Sequence, residues 1–382
     1  MDFNFTSEQV LLRDSLRAFL ADCCPLEARH EAARQGPGWR PELWRRLGTE
    51  LGILGAAFPE ALGGSGGGAY EHLVIMEELG AALALEPYVE SIVLAGGLLQ
   101  RAGGAAARDL LPGLLAGERA LAVGLLEPGA RQAPARVETS ARREGEGWRL
   151  DGHKAAVVAA PWASHLIVSA RTSGGLADER GISLFLVERE RAGLTLRPFH
   201  TIDGRRAADV VLDGVRLPPT ALLGEEGDAL GLIEQANDEA IAAQCAEAVG
   251  LMSRMLADTV AYTRERKQFG QVIASFQALQ HRMADMLMQL ELARSAVYRA
   301  TQAVASAPAN ERAMAVSAAK VTVDQALRYL GQNAVQLHGG MGMSDEVAVT
   351  TCFRRATVLG GTRGSVEHHL DRFSRLERNL HR

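Results

Sequence analysis

The chain opens with apolar positions that recur on one helical face: Leu12, Leu16, Phe19 and Leu20 fall three or four residues apart. Just before them, Thr6 and Gln9 stand at capping-box spacing. There the hydroxyl accepts from a free helix N–H and the amide reaches back to the cap. Further helical patterns run over about Pro41–Leu54 and Tyr70–Leu85. Between them lies Gly63-Gly64-Ser65-Gly66-Gly67-Gly68. Backbone N–H groups in such a run could cradle a phosphate. No lysine stands in P-loop position and no clear strand precedes it, so the run reads as a flexible connector.

Near Ala120 the pattern changes. From there to about Gly224, short apolar runs alternate with turn signals at Glu144-Gly145-Glu146-Gly147, Asp151-Gly152 and Asp213-Gly214. His165–Ala170, Ile182–Val187 and Ala208–Leu212 read as strands, and the lack of helices between them predicts an antiparallel sheet or β-barrel. Beyond Asp228 the helical period returns over about Asp228–Arg266, Ser275–Ala305, Ala309–Leu337 and Val366–Leu380, the pattern of a four-helix bundle. The expected organisation is a helical N-terminal domain (1–119), a β-barrel domain (120–225) and a helical C-terminal domain (226–382).

Composition narrows the function classes. The 382 residues suffice for two or three domains, and 47% hydrophobic with 23% charged residues is the balance of a globular chain. A net charge of -5 and 5% aromatics give no reason to expect nucleic acid as a partner. The four cysteines show neither a Cys-x-x-Cys pair nor metal-ligand spacing, which predicts reduced thiols and no metal in a cytoplasmic protein. Met1-Asp2-Phe3-Asn4 lacks the basic-then-apolar pattern of a signal peptide, and no apolar run reaches the roughly 18 residues of a membrane helix.

Two C-terminal motifs carry candidate chemistry. Tyr262-Thr263-Arg264-Glu265-Arg266-Lys267-Gln268-Phe269-Gly270 joins a cation to an aromatic. Gln336-Leu337-His338-Gly339-Gly340-Met341-Gly342 supplies a glycine pair that lets backbone N–H groups approach a phosphate. Taken singly, the glycines read as a tight turn and Arg266 as a surface ion pair three or four residues along its helix. These segments resemble the Y-x-x-E-R-x-x-F-G and Q-x-x-G-G-x-G motifs of the acyl-CoA dehydrogenase family. Phe276-Gln277, Met283-Ala284-Asp285-Met286, Glu127-Pro128-Gly129-Ala130 and Asp203-Gly204 through Leu223-Gly224 extend the resemblance over nearly the whole chain. Within the family, Met1-Asp2-Phe3, Asp238–Gly250 and Val335–Gly340 resemble the small subunit of the pimeloyl-CoA dehydrogenases most.

The resemblance implies FAD held between the barrel of one subunit and the helical bundle of its neighbour. It also implies oxidation of an acyl-CoA to the 2,3-enoyl-CoA, with a carboxylate removing the α-proton. The half given to a neighbour's FAD is complete: Arg266 for the diphosphate, Phe269 for the adenine end, Gln277 and Gln336 for polar contacts, Gly339 and Gly340 for backbone approach. The half on the chain's own barrel is depleted. The family's threonine before Glu-Pro is Leu126, its loop serine and aspartate fall at Gln132 and Ala133, and its W-I-T aligns with Ala156-Val157-Val158. The usual catalytic glutamate is Gly360. The alternative base position on the first long C-terminal helix is Ala240; Glu239 beside it points roughly 100° away and is a poor substitute, the one candidate carboxylate, so no catalytic base is identified. The resulting expectation is one subunit of a heteromeric dehydrogenase, with an acyl-CoA substrate, a homologous partner subunit and an electron-transfer flavoprotein or similar acceptor. The alternatives are a self-sufficient homo-oligomer with another base, or a non-catalytic scaffold.

Overall fold

The computed structural model describes residues 5–130 and 133–380, with side chains to 378. Met1-Asp2-Phe3 and the Gln132 position therefore lie outside the described residues. The chain forms two compact units, one of residues up to 30, 69–84 and 241 onward, the other of residues 31–68 and 85–240.

In the first unit, α1 (Ser7–Cys23) starts at the expected capping box, with Thr6 and Gln9 bonded reciprocally, and buries Leu16 and Leu20. It pairs with α4 (Ala69–Ala81) through Arg17 and the buried Glu78. α4 stops short of the apolar pattern because Leu83 adopts a left-handed φ of 57°. That turn exposes the Leu83 carbonyl to the Arg29 guanidinium. The C-terminal part of α7 (Leu230–Glu265) crosses α4 with almost no room. A Cβ on Gly250 would lie 1.9 Å from the Glu77 carbonyl oxygen, and one on Gly80 would lie 2.2 Å from the Glu247 oxygen. Gly250→Ala must push two helix backbones apart, so it is expected to cost about 1–3 kcal/mol or more in a denaturant titration.

Three of the expected bundle helices follow closely as α8 (Gln277–Ser306), α9 (Ala309–His338) and α11 (Val366–Leu380). α10 (Ala348–Gly361) is an additional helix that the periodicity does not announce. Its sequence is rich in threonine and ends in two glycines, so intrinsic propensity is poor. Tertiary bonds hold it: buried Arg355 grips Glu247 of α7 through two bonds of 2.6 and 2.7 Å, and Thr350 donates near its start.

The second unit is built on one sheet. Its strands are β1 (Leu121–Gly124), β2 (Ser140–Glu144), β3 (Gly147–Val158), β4 (His165–Arg171), β5 (Ile182–Glu188), β6 (Leu194–His200), β7 (Arg206–Leu217) and β8 (Leu222–Leu223). They lie in the order β6-β7-β3-β2-β4-β5-β8, with β1 pairing β4. Five of the pairings are antiparallel, as expected; β1 lies parallel to β4, and β2 meets β4 in one parallel pair. Trp148 and Phe185 pack edge to face in the core of this unit.

Helices α3 (Pro41–Thr49), α5 (Gly97–Ala102) and α6 (Gly104–Leu115) and a π-helix over Tyr88–Gly96 complete this unit. α3 ends before Ile53 and Leu54, which are core residues of a turn rather than of the helix. Trp39 and Trp162 stack at 5.3 Å, and Trp44 donates to the Arg119 carbonyl.

The glycine run is not a flexible connector. Gly64, Ser65, Gly66 and Gly67 donate their N–H groups to Pro59, Gly55, Phe58 and Ala56. A Cβ on Gly64 would lie 2.1 Å from the Phe58 oxygen. Glycine is required there by close packing, and those four donors are already used. Among the described residues no helix is long and apolar enough to cross a membrane.

Candidate functional site

Three helix ends of the first unit converge at the candidate cofactor residues. Past the end of α7, β9 (Lys267–Gln268) turns back on β10 (Gln271–Val272). The two residues between them, Phe269 and Gly270, have φ of 55° and 80°. That is the backbone of a type I′ hairpin, in which glycine is at ease and phenylalanine is strained. The strained residue is 89% exposed and meets Phe276 edge-on at 6.1 Å. An aromatic held outward at a conformational cost is the kind of outlier that marks a binding surface.

The end of α9 is fixed beside it. His338 is buried, bonds the Ala334 carbonyl at 2.8 Å and stacks on Tyr262 of α7 at 4.4 Å. Thr263 reaches the Met283 sulfur of α8. These contacts bring the two motifs together although some seventy residues separate them. Gln277 is the first residue of α8, and Gln336 lies exposed in the last turn of α9, its carbonyl capped by the Gly339 N–H. Gly339 sits at φ 60°, and a Cβ on Gly339 or Gly340 would meet no atom within 4 Å. Arg266 is exposed and forms neither an ion pair nor a side-chain hydrogen bond among the described residues. The surface-pair alternative is thus not what the structure contains.

In the second unit, the described residues at the depleted positions are alkyl. Leu126 is 46% exposed, and its carbonyl accepts from the Ala155 N–H. The next residue, Ala156, is exposed at φ 50° where the β3–β7 register shifts, with its N–H bonded to Asp209. Val157 is buried and Val158 partly so. Beneath them Glu127 is buried. It accepts from the Glu138 and Thr139 N–H groups at 2.6 and 3.0 Å and from the Lys154 ammonium at 2.5 Å. Lys154 also donates to Ser169. Burial pushes the Glu127 carboxyl up, but the Lys154 charge and these hydrogen bonds outweigh it and hold it below the usual range. Burial lowers Lys154 to about 8 against the pull of Glu127. Glu127 is thus a buried anchor, while the side chains of Leu126, Ala156 and Val158 around it are alkyl.

At the expected base positions there is no carboxylate poised to act. Gly360 is the penultimate residue of α10, with no atom within 4 Å of a would-be Cβ. Ala240 is fully buried. The Glu239 carboxylate is held by both terminal nitrogens of Arg101, at 2.9 and 2.8 Å, and by Gln235 at 3.2 Å. Sequence reading missed this grip because Arg101 lies 138 residues away with no local signal.

Helical segment, sheet and helical bundle thus follow one another along the chain, with a basic, aromatic and glycine cluster at helix ends of the first unit. The family models agree along the chain: acyl-CoA dehydrogenase N-terminal domain over residues 6–118, middle domain over 122–215 and C-terminal domain over 232–376. The chain belongs to the acyl-CoA dehydrogenase family, FAD-dependent oxidoreductases that act on CH–CH bonds. It is 31% identical over 376 residues to the probable acyl-CoA dehydrogenase YngJ of Bacillus subtilis, covering 96% of this chain and 97% of that one. Among solved structures it is similar to the Tcur3481-Tcur3483 steroid ACAD (TM-score 0.87, 31% identity, 97% and 98% coverage). It is also similar to the ChsE4-ChsE5 complex from Mycobacterium tuberculosis (TM-score 0.88, 28% identity, 98% of each chain).

Family members bind FAD. The first unit's residues fit such a group, with an uncommitted guanidinium for a diphosphate, an outward aromatic and glycine backbone open to approach. The second unit's surface does not fit equally well, since Leu126, Ala156 and Val158 offer no hydroxyl donor to flavin heteroatoms.

Proposed function

We propose that this chain is one subunit of a heteromeric FAD-dependent acyl-CoA dehydrogenase. It contributes the helical-bundle half of a flavin site to a homologous partner that supplies the barrel half and the catalytic carboxylate. Bound FAD would provide the hydride acceptor for α,β-dehydrogenation of an acyl-CoA thioester. Arg266 would clamp its diphosphate, Phe269 would cover the adenine end, Gln277 and Gln336 would make polar contacts, and Gly339 and Gly340 would let their N–H groups approach. An electron-transfer flavoprotein or similar carrier would take the electrons onward.

One asymmetry carries this reading. Arg266 and the strained, exposed Phe269 are kept ready for a ligand, while Leu126, Ala156 and Gly360 replace the groups the chain would need for a site of its own. In a homo-oligomer both halves meet across every equivalent interface, so loss of one would leave the other without use. Each hydroxyl replaced by alkyl leaves a cofactor heteroatom without its partner, at roughly 1–3 kcal/mol. Two of the similar structures are of paired chains, Tcur3481-Tcur3483 and ChsE4-ChsE5, which favours a two-chain assembly. The first is a steroid ACAD, which favours a bulky acyl group.

The test is flavin per chain, measured for this chain expressed alone and with a neighbouring dehydrogenase gene. The chain alone is expected to be nearly colourless and inactive, and the pair to hold one FAD per heterodimer. In the pair, Arg266→Ala should weaken flavin binding by about ten- to a hundredfold, the worth of one hydrogen bond to a charged group, without unfolding the protein. One FAD per chain in an active homo-oligomer would overturn the reading.

A further inference from the structure

We propose that Lys267 is a modification site, the one lysine side chain open to acylation by an activated acyl group, a thioester or an acyl phosphate. Its acylation removes a cation beside Arg266 and weakens flavin binding. That consequence rests on the proposed function; the site itself stands on burial and hydrogen bonding.

Of the chain's 41 basic side chains only three are lysines, Lys154, Lys267 and Lys320. Lys154 is wholly buried, and its ammonium donates to Glu127 and Ser169. Lys320 is 2% exposed and donates to Asp324 at 2.8 Å and to the Leu359 carbonyl at 2.7 Å. Both amines are committed as donors and closed to an incoming acyl carbon. Burial lowers Lys154 to about 8, which would make it a ready nucleophile at neutral pH, so access and not basicity decides against it. Lys267 is exposed and forms neither an ion pair nor a side-chain hydrogen bond among the described residues.

Its surroundings favour anionic donors. Arg264, Arg266 and Lys267 fall within four residues, all exposed and none ion-paired among the described residues, against the single anion Glu265. CoA thioesters and acyl phosphates are both anions, and a local excess of positive charge raises their concentration there. The backbone beneath is anchored. The Arg266 N–H bonds the Tyr262 carbonyl at 2.9 Å, its carbonyl takes the Ile273 N–H at 2.8 Å, and Lys267 pairs with Val272 across the hairpin. In the reaction the neutral Lys267 amine attacks the acyl carbon and an N–C bond forms. The C–S bond of the thioester, or the C–O bond of the acyl phosphate, breaks. The thiolate or phosphate leaves with the bonding pair, and the amine's proton passes to water. The product is an uncharged amide.

The experiment treats the full-length chain, alone and with its partner, with acetyl-CoA or with acetyl phosphate, and maps acetylated lysines by mass spectrometry. In the chain alone, Lys267 should react at least about tenfold faster than Lys154 or Lys320, whose amines meet solvent only through local opening. In urea all three should react alike. Labelling by either donor supports the site and names the donor. Lys154 or Lys320 reacting as fast as Lys267 in the native chain, or no labelling by either donor, overturns it. In the pair, the acetylated chain and Lys267→Gln should each bind flavin about two- to fivefold more weakly, the worth of one exposed charge. Lys267→Arg should bind flavin as the wild type does and stay insensitive to both donors. Unchanged flavin affinity in Lys267→Gln overturns the consequence. If the wild-type pair holds no flavin, the consequence falls with the proposed function, and the labelling alone judges the site.

Discussion

Arg355→Met is expected to destabilise the protein by about 3–5 kcal/mol, the cost of leaving a buried charge without its partner. Arg355 and Glu247 have side chains 8% and 4% exposed and are joined by two hydrogen bonds. Removing the guanidinium strands the Glu247 carboxylate in a place where α4 passes so closely that Gly80 leaves no space for relaxation. Adding Glu247→Leu should recover most of the loss, because the second change removes the stranded charge. Urea denaturation of the two single variants and the double variant checks this. Equal losses for single and double variants would show that the helices lose packing rather than charge balance.

His369 should give the protein an acid-sensitive component of about 3 kcal/mol, lost between pH 6.5 and pH 4. Burial holds its imidazole at about 4; the Arg363 carbonyl pulls it up, and His368, Arg372 and Lys320 add like charge. A group whose folded value lies below its ordinary 6.5 favours folding in its neutral form. That contribution is complete above 6.5 and disappears as pH falls through the folded value. Two carboxyls act in the opposite sense. Burial raises Glu77 to about 7 and Asp324 to about 6, so both cost stability at neutral pH and return it as pH falls toward 4. The wild-type profile is therefore a sum of opposing contributions, in which the two carboxyls mask the loss at His369. The His369 component must be read as the difference between wild type and His369→Phe, measured by thermal unfolding from pH 4 to 8. A difference that is flat with pH would rule it out.

Much of the fold was legible because the apolar period changes where the structure changes. The capping box at Thr6 and Gln9, the strands at His165 and Ile182 and the start of α9 at Ala309 are each specified by a few adjacent residues. The errors share a cause. Ile53, Leu54 and Leu85 are apolar because turns bury them, so periodicity overran the ends of α3 and α4. α10 was invisible because its order comes from Glu247 and Lys320, over a hundred and about forty residues away. The glycine run looked loose in one dimension, and only its bonds back to residues 55–59 explain why side chains are excluded. In the site, Arg266, Phe269 and the glycine pair could be named from their motifs. The strain at Phe269 and the grip of Arg101 on Glu239 depend on distant residues and could not.

The four tryptophans, Trp39, Trp44, Trp148 and Trp162, all fall in the unit of residues 31–68 and 85–240. Indole fluorescence is therefore an optical reporter of that unit alone, whereas far-ultraviolet ellipticity, dominated by the long helices, weights the other. Recorded on one sample, the two signals amount to separate melting curves for the sheet unit and the helical unit. Their separation measures directly how strongly the order of the helical unit depends on the sheet.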